Sequence, residues 1–284
     1  MRNKSRKSTF DREALAQVTF ERLRLTALTL FGVALLSFFS FSHSADTEKY
    51  SALPSLNPVL ARFNEDITFY ASFDGYVTAD LSVGEGAPRN SGDKTDWNNG
   101  IVGQALHDMA EPLEYTAQGN IDLVRPGALT MWISPQNWMH EGNPEYIHFV
   151  VVNIGGVTLQ VSRMGDAVNT EKLYAWFKAG PKGAANVVGD TLKWQQGWYL
   201  LAVNWGAGYV EFSVDGGAFT RIAAPSLPDL KPTTDPGMLY IGAGGVGGAG
   251  NTPYLMDELF VFNRPLKNSE VQWIYQLSDS KNIN

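Results

Sequence analysis

The chain has no cysteine among its 284 residues. That excludes disulfides, thiolate metal centres, a cysteine nucleophile and a lipid-bearing cysteine behind a leader. Packing, with or without an oxygen-liganded metal, must hold the fold. Charge is sparse at 18% of residues, and basic residues are the minority, with 22 Lys and Arg against 29 Asp and Glu. Seven of those basic residues and three of the acidic ones fall in 1–44, so the remainder carries 15 against 26. An acidic body of this kind is repelled by nucleic-acid phosphate and by anionic membrane surfaces. Internal repeats are absent, and apolar residues at helical spacing are nearly so after residue 45.

What is present begins with an export segment. Arg22-Leu23-Arg24 leads into Leu25 to Phe41, an uncharged run rich in Leu and Phe, followed by Ser42-His43-Ser44. Basic flank, apolar stretch and small residues at the cleavage-determining positions describe a signal peptide cut before Ala45. The run also reaches the lower length limit for spanning a bilayer, so an uncleaved N-terminal anchor is the alternative. Both readings put the rest of the chain in the periplasm, outside the cell or on its surface, with a membrane involved only through that segment. The expected organisation is 1–44 signal peptide or anchor, 45–62 linker and 63–278 a single domain.

Within the domain, short runs of Val, Ile, Tyr, Phe and Trp are separated by Gly, Pro, Asn and Asp, which the 28 Gly and 14 Pro supply in number. This is the pattern of an antiparallel sandwich. The clearest hairpin runs from Trp198 to Trp205 and returns from Tyr209 to Asp215, where Val210, Phe212 and Val214 alternate with Glu211, Ser213 and Asp215. One face is buried and the other solvated. Further strands are expected over 67–73, 128–133, 146–154, 157–161, 173–177, 238–241 and 255–262. One helix is expected, Leu266 to Leu277, with Val271, Ile274 and Tyr275 on one stripe. The fold class is all-β, a two-sheet antiparallel β-sandwich with one short C-terminal helix.

Several segments resemble, in order, the laminin-G-like members of the concanavalin A-like superfamily. They are Phe73-Asp74-Gly75, Gly103-Gln104-Ala105-Leu106, Ala128 to Pro135, the hairpin with Gly197-Trp198 and Asp215-Gly216, and the closing Met256-Asp257-Glu258-Leu259 through Asn263-Arg264-Pro265-Leu266. The resemblance implies a jelly roll. Two positions depart from it: Lys267 replaces a helix-capping Ser or Thr, weakening the helix start, and Asn204-Trp205 replaces Thr-Trp.

The resemblance also implies a structural calcium held by Asp257 with Asp74 or nearby backbone carbonyls, tying the first and last strands together; turn-capping by both aspartates is the alternative. Eight tryptophans suggest stacking on sugar faces. Trp132, Trp198 and Trp205 lie in core strands, whereas Trp97 and Trp138 sit in polar, Gly-flanked loops and are the candidate ligand-binding residues.

Catalytic readings find less support. The alternating Glu, Asp and Glu that β-glucan hydrolases carry on one strand, with nucleophile and acid about 5 Å apart, does not occur; Glu141 and Glu145 are interrupted by Gly142-Asn143-Pro144. Tyr146-Ile147-His148 and 174–180 are similar in part to alginate lyases, but Pro181-Lys182-Gly183-Ala184 stands where the catalytic tyrosine belongs. Gly242 to Gly247 matches a dinucleotide-binding spacing, but Pro253 and a strand follow it instead of a helix. No catalytic residue is therefore assigned. The expected function is an exported binding module, lectin-like or adhesive, whose partner is a polysaccharide, a glycoconjugate or a surface protein. A polysaccharide hydrolase or lyase with unfamiliar catalytic residues, and a structural domain that binds no sugar, are the alternatives.

Overall fold

The computed structural model describes residues 57–90, 95–107, 111–136, 146–165, 171–179, 186–192, 197–224, 235–242 and 254–279. All of them belong to one compact unit, Asn57–Asn284. The leader-like segment lies outside the described residues. Among those described, no helix is long and apolar enough to cross a membrane.

Two antiparallel sheets face each other. The first is nine-stranded and has the spatial order β13 (Thr220–Ala223), β12 (Tyr209–Val214), β11 (Tyr199–Gly206), β6 (Gly127–Pro135), β15 (Tyr254–Phe262), β1 (Ile67–Ala71) and β2 (Leu81–Ser82). Beside that path, β3 (Asp96–Asn99) pairs with β4 (Gln104–His107), and β4 with β15. The second sheet is six-stranded, in the order β10 (Asn186–Leu192), β9 (Glu171–Ala179), β8 (Val157–Gly165), β7 (Tyr146–Ile154), β14 (Met238–Ile241) and β5 (Leu113–Thr116). This is the expected two-sheet sandwich.

Strand periodicity divides the apolar residues into two layers. Phe69, Phe149, Phe177, Trp205 and Phe212 are among those filling the space between the sheets. A second cluster covers the outer face of the nine-stranded sheet, where Tyr70, Trp132, Phe260 and Phe262 meet α1 (Pro58–Phe63) and α2 (Asn268–Asp279). Tyr70 stacks on Phe260 with ring centroids 4.3 Å apart. Arg62 lies over the Trp273 ring at 4.3 Å, joining the two helices.

Helix α1 occupies the end of the stretch read as linker. Asn57 caps it, its Oδ1 accepting the Val59 N–H at 2.9 Å, and Pro58 has the φ a first helical turn wants. Val59 and Phe63 are buried.

The departure at Lys267 is compensated. Glu270 reaches back to accept the Lys267 N–H at 2.7 Å, and Arg264 grips Glu270 through two nitrogens at 2.9 and 3.0 Å while also bonding Asp66. That is the returning half of a capping box, and the half that a Ser or Thr hydroxyl would supply is missing. Lys267→Ser is therefore expected to stabilise the protein by roughly 0.5–1 kcal/mol, read as a raised urea midpoint at unchanged slope. Asn204 also has a task that threonine could not perform. Its Oδ1 accepts the Leu266 N–H and its Nδ2 donates to the Leu266 carbonyl, both at 2.9 Å, which docks the start of α2 on the sheet.

Candidate functional site

Asp74 and Asp257 converge on one short segment, the turn between β3 and β4. Asp257 Oδ2 accepts the Val102 N–H at 3.0 Å, and Asp74 Oδ1 accepts the Gln104 N–H at 2.6 Å. Gly103, at φ +62, is required here, because a Cβ would fall 1.9 Å from Asp74 Oδ1; a Cβ on Gly100 would fall 2.5 Å from Asp257 Oδ2. Residues next to both aspartates have positive φ, 59° at Phe73 and 52° at Glu258. The second belongs to a bulge between Asp257 and Phe260. That extra residue lets two consecutive carboxylates both avoid the dry space between the sheets, where strict alternation would have placed one of them. Glu258 instead accepts from Tyr70 Oη at 3.0 Å and from Asn57 Nδ2.

Asp257 is fully buried and its Oδ1 has no hydrogen-bond partner. Burial, reinforced by the negative charges of Glu258 and Asp74, pushes its carboxyl up to about 9. An orphaned, buried carboxylate oxygen that feels the charge of a second carboxylate suits a hard cation. Among the described residues, however, no group of three or more His, Cys, Asp or Glu could hold a metal. Most of the six to eight oxygens calcium takes would have to be backbone carbonyls and water. Asp257 and Asp74 would be the protein's charged donors, and calcium there would cross-link the first and last strands.

Trp97 does not stand in a loop. It lies in β3 opposite Leu106, half-buried, with its ring packed on the core between the sheets. Trp138 lies outside the described residues, as do Glu141, Glu145 and 243–250 of the glycine-rich segment. A cavity of about 30 Å³ beside Val102, Thr130, Trp132, Glu258 and Ile274 has room for one water and not for a sugar ring.

The larger candidate is the outer face of the six-stranded sheet. Helices cover the outer face of the other sheet, but among the described residues none covers this one. Cross-strand register puts Glu114, Tyr240, Val151, Gln160 and Trp176 in one row, and Thr116, Met238, Asn153, Thr158 and Lys178 in the next. Val152, Leu159, Phe177 and Leu239, their neighbours along the strands, lie in the core between the sheets, so alternation points these rows outward; Val151 and Tyr174 are nonetheless buried. Trp176 and Tyr240 are partly exposed, and Gln160 and Lys178 are exposed to a similar degree.

A third row holds His148, Ser162 and Tyr174. His148 Nδ1 and Ser162 Oγ share a hydrogen bond of 2.8 Å, and burial lowers the imidazole's pKa so that it is neutral at neutral pH. Ser162 is fully buried, so this pair forms part of the floor and does not present a nucleophile to a polymer.

The signal for this face was in β9. Lys172-Leu173-Tyr174-Ala175-Trp176-Phe177-Lys178-Ala179 alternates strictly, and its outward phase, which would ordinarily be polar, carries a tyrosine and a tryptophan.

A family model described as the concanavalin A-like lectin/glucanases superfamily matches residues 114–272. A comparison with curated protein sequences finds no match. Among solved structures, the binding domain of botulinum neurotoxin serotype D is similar at TM-score 0.57 and 9% identity, covering 75% of this chain and 52% of that one. The binding domain of Paraclostridial Mosquitocidal Protein 1 is similar at TM-score 0.55 and 11% identity, covering 75% and 52%. A structure reported for botulinum neurotoxin type C, whose cell entry is described as dependent on interaction with two ganglioside molecules, is similar at TM-score 0.58 and 10% identity, covering 77% and 53%. The similarity thus spans about half the length of these toxin chains, and at such identities it establishes the shared fold.

Proposed function

The chain belongs to the concanavalin A-like lectin/glucanase superfamily, and from that membership we propose that it is an exported glycan-binding module working through the outer face of its six-stranded sheet. One observation carries the reading: among the described residues, one outer face is sealed by helices and the other holds the partly exposed rings of Trp176 and Tyr240 among amide, hydroxyl and ammonium groups. A sugar's apolar face stacks on an aromatic ring while its hydroxyls need hydrogen-bond partners around the edge, and few other ligands ask for both. Binding domains of toxins with the same fold, one of them from a toxin dependent on gangliosides, support a glycoconjugate partner. Export rests on the N-terminal segment, and calcium at Asp257 and Asp74 is proposed as structural support.

The test is titration of the protein with a panel of soluble polysaccharides. Trp176→Ala is expected to weaken the best binder by roughly tenfold to a hundredfold, which is about 1.5–3 kcal/mol of lost stacking and burial. Thermal stability should be nearly unchanged, because the ring contributes to neither core. Unaltered affinity in that variant would remove this face from the account. Release of reducing ends or of unsaturated products from any member of the panel would overturn a binding-only function.

A further inference from the structure

The face differs from its surroundings in charge. After residue 44 the chain carries 15 basic and 26 acidic residues, so an arbitrary patch of this surface should hold more carboxylates than ammonium groups. The outward positions of β7, β8, β9 and β14 reverse that expectation. Among the described residues they are His148, Val151 and Asn153, then Thr158, Gln160 and Ser162, then Lys172, Tyr174, Trp176 and Lys178, then Met238 and Tyr240. Two ammonium groups and no carboxylate stand among them. Glu114 enters only on the edge strand, β5.

We infer that the ligand of this face is an acidic glycan, one whose sugar ring stacks on Trp176 while its carboxylate or sulfate meets Lys178. The inference rests on the glycan-binding reading and narrows it to a charge class. Lys178 follows Trp176 by two residues on the same strand face, a spacing of about 7 Å. A ring lying on the indole therefore holds its exocyclic acidic group within reach of a flexible ammonium.

Hydrogen-bonding character points the same way. A neutral sugar presents hydroxyls that both donate and accept, and their O–H groups are well served by carboxylates, which only accept. This face offers lysine, which only donates, beside amides and hydroxyls that can do either. Donor-rich surroundings suit a ligand that only accepts, which describes a carboxylate or a sulfate ester. The acidity of the rest of the chain does not forbid this, since charges farther than about 8 Å through solvent are largely screened at physiological ionic strength.

The experiment uses polymers with the same sugar backbone and different charge: polygalacturonate against its fully methyl-esterified form, and dextran sulfate against dextran. Each is titrated into the intact chain and into Lys178→Gln, Lys178→Arg and Trp176→Ala. At least one acidic polymer is expected to bind roughly tenfold or more tightly than its neutral partner. That advantage should shrink as salt rises from about 50 to about 500 mM, disappear in Lys178→Gln and persist in Lys178→Arg. If neutral polymers bind equally well and Trp176→Ala abolishes both, the acidic class is wrong and the face stands. Binding that ignores Trp176→Ala overturns the face itself. Failure of both acidic polymers to bind overturns the inference.

Discussion

Trp205→Ala is expected to cost about 3–5 kcal/mol of stability, lowering the thermal midpoint by about 10–15 °C for a domain of this size. Trp205 is the last residue but one of β11, within the nine-stranded sheet, and it is only 1% exposed. The indole also closes a loop, since Nε1 donates to the carbonyls of Asp122 and Arg125, each at 2.9 Å. Gly127 lies against the ring, where any Cβ would sit 2.4 Å from Cζ2. The tryptophan thus fills volume, satisfies the 122–125 turn and fixes the entry to β6 together. Trp205→Phe separates these roles: it keeps most of the apolar area, loses both hydrogen bonds, and should cost about 1–2 kcal/mol. Urea denaturation of the two variants checks the ranking, and a loss below 1 kcal/mol in the alanine variant would show that the site collapses without the ring.

Asp257→Asn is expected to change how stability depends on pH and calcium. An ordinary aspartate ionises near 3.8, whereas burial holds Asp257 protonated to about 9 in the folded chain. Well below pH 3.8 the carboxyl is neutral in both states and contributes no pH dependence. As pH rises toward 9 the unfolded state releases its proton and the folded state does not, so stability falls by up to about 1.4 kcal/mol per pH unit. The asparagine variant cannot ionise. It keeps an acceptor for the Val102 N–H and loses no partner at Oδ1, which had none. Without calcium it should therefore be more stable than the parent at pH 8, by a few kcal/mol, and nearly equal to it at pH 4.

Calcium would take the proton's place on Oδ1, so the rise in melting temperature on adding calcium should be larger at pH 8 than at pH 5 and absent in Asp257→Asn. A calcium shift that survives in the variant would move the metal elsewhere. A parent protein with flat stability between pH 5 and 9 would mean that Asp257 is not held neutral.

How far these features could be read in advance differs between elements. β7 and β14 occupy the expected residues, Tyr146–Ile154 and Met238–Ile241, because Val, Ile and Tyr runs bounded by turn residues have few other stable forms. The Asp-Trp-Asn-Asn of β3 has almost no strand preference. It is a strand because β4 pairs with it and the Trp97 ring finds the core, which is tertiary context overriding local composition. Helix α1 falls in the stretch read as linker, because its six residues are too few to show an apolar stripe, although Asn57-Pro58 is the cap it uses. Asp74 and Asp257 are 183 positions apart in sequence, and the resemblance brought them together where no local pattern could. The binding face was legible in β9 alone, as aromatic residues on the phase that an alternating strand normally gives to polar ones; its breadth across β14, β7 and β8 depends on register, which only the folded sheet supplies.

The most direct test of the account is hydroxyl-radical footprinting of the intact chain with and without the tightest-binding polysaccharide of the panel. Trp176 and Tyr240 are predicted to become protected, while Trp97 and Tyr76 keep their reactivity. Protection of Trp97 or Tyr76 with Trp176 and Tyr240 unchanged would contradict the account and move the binding site to the other side of the sandwich.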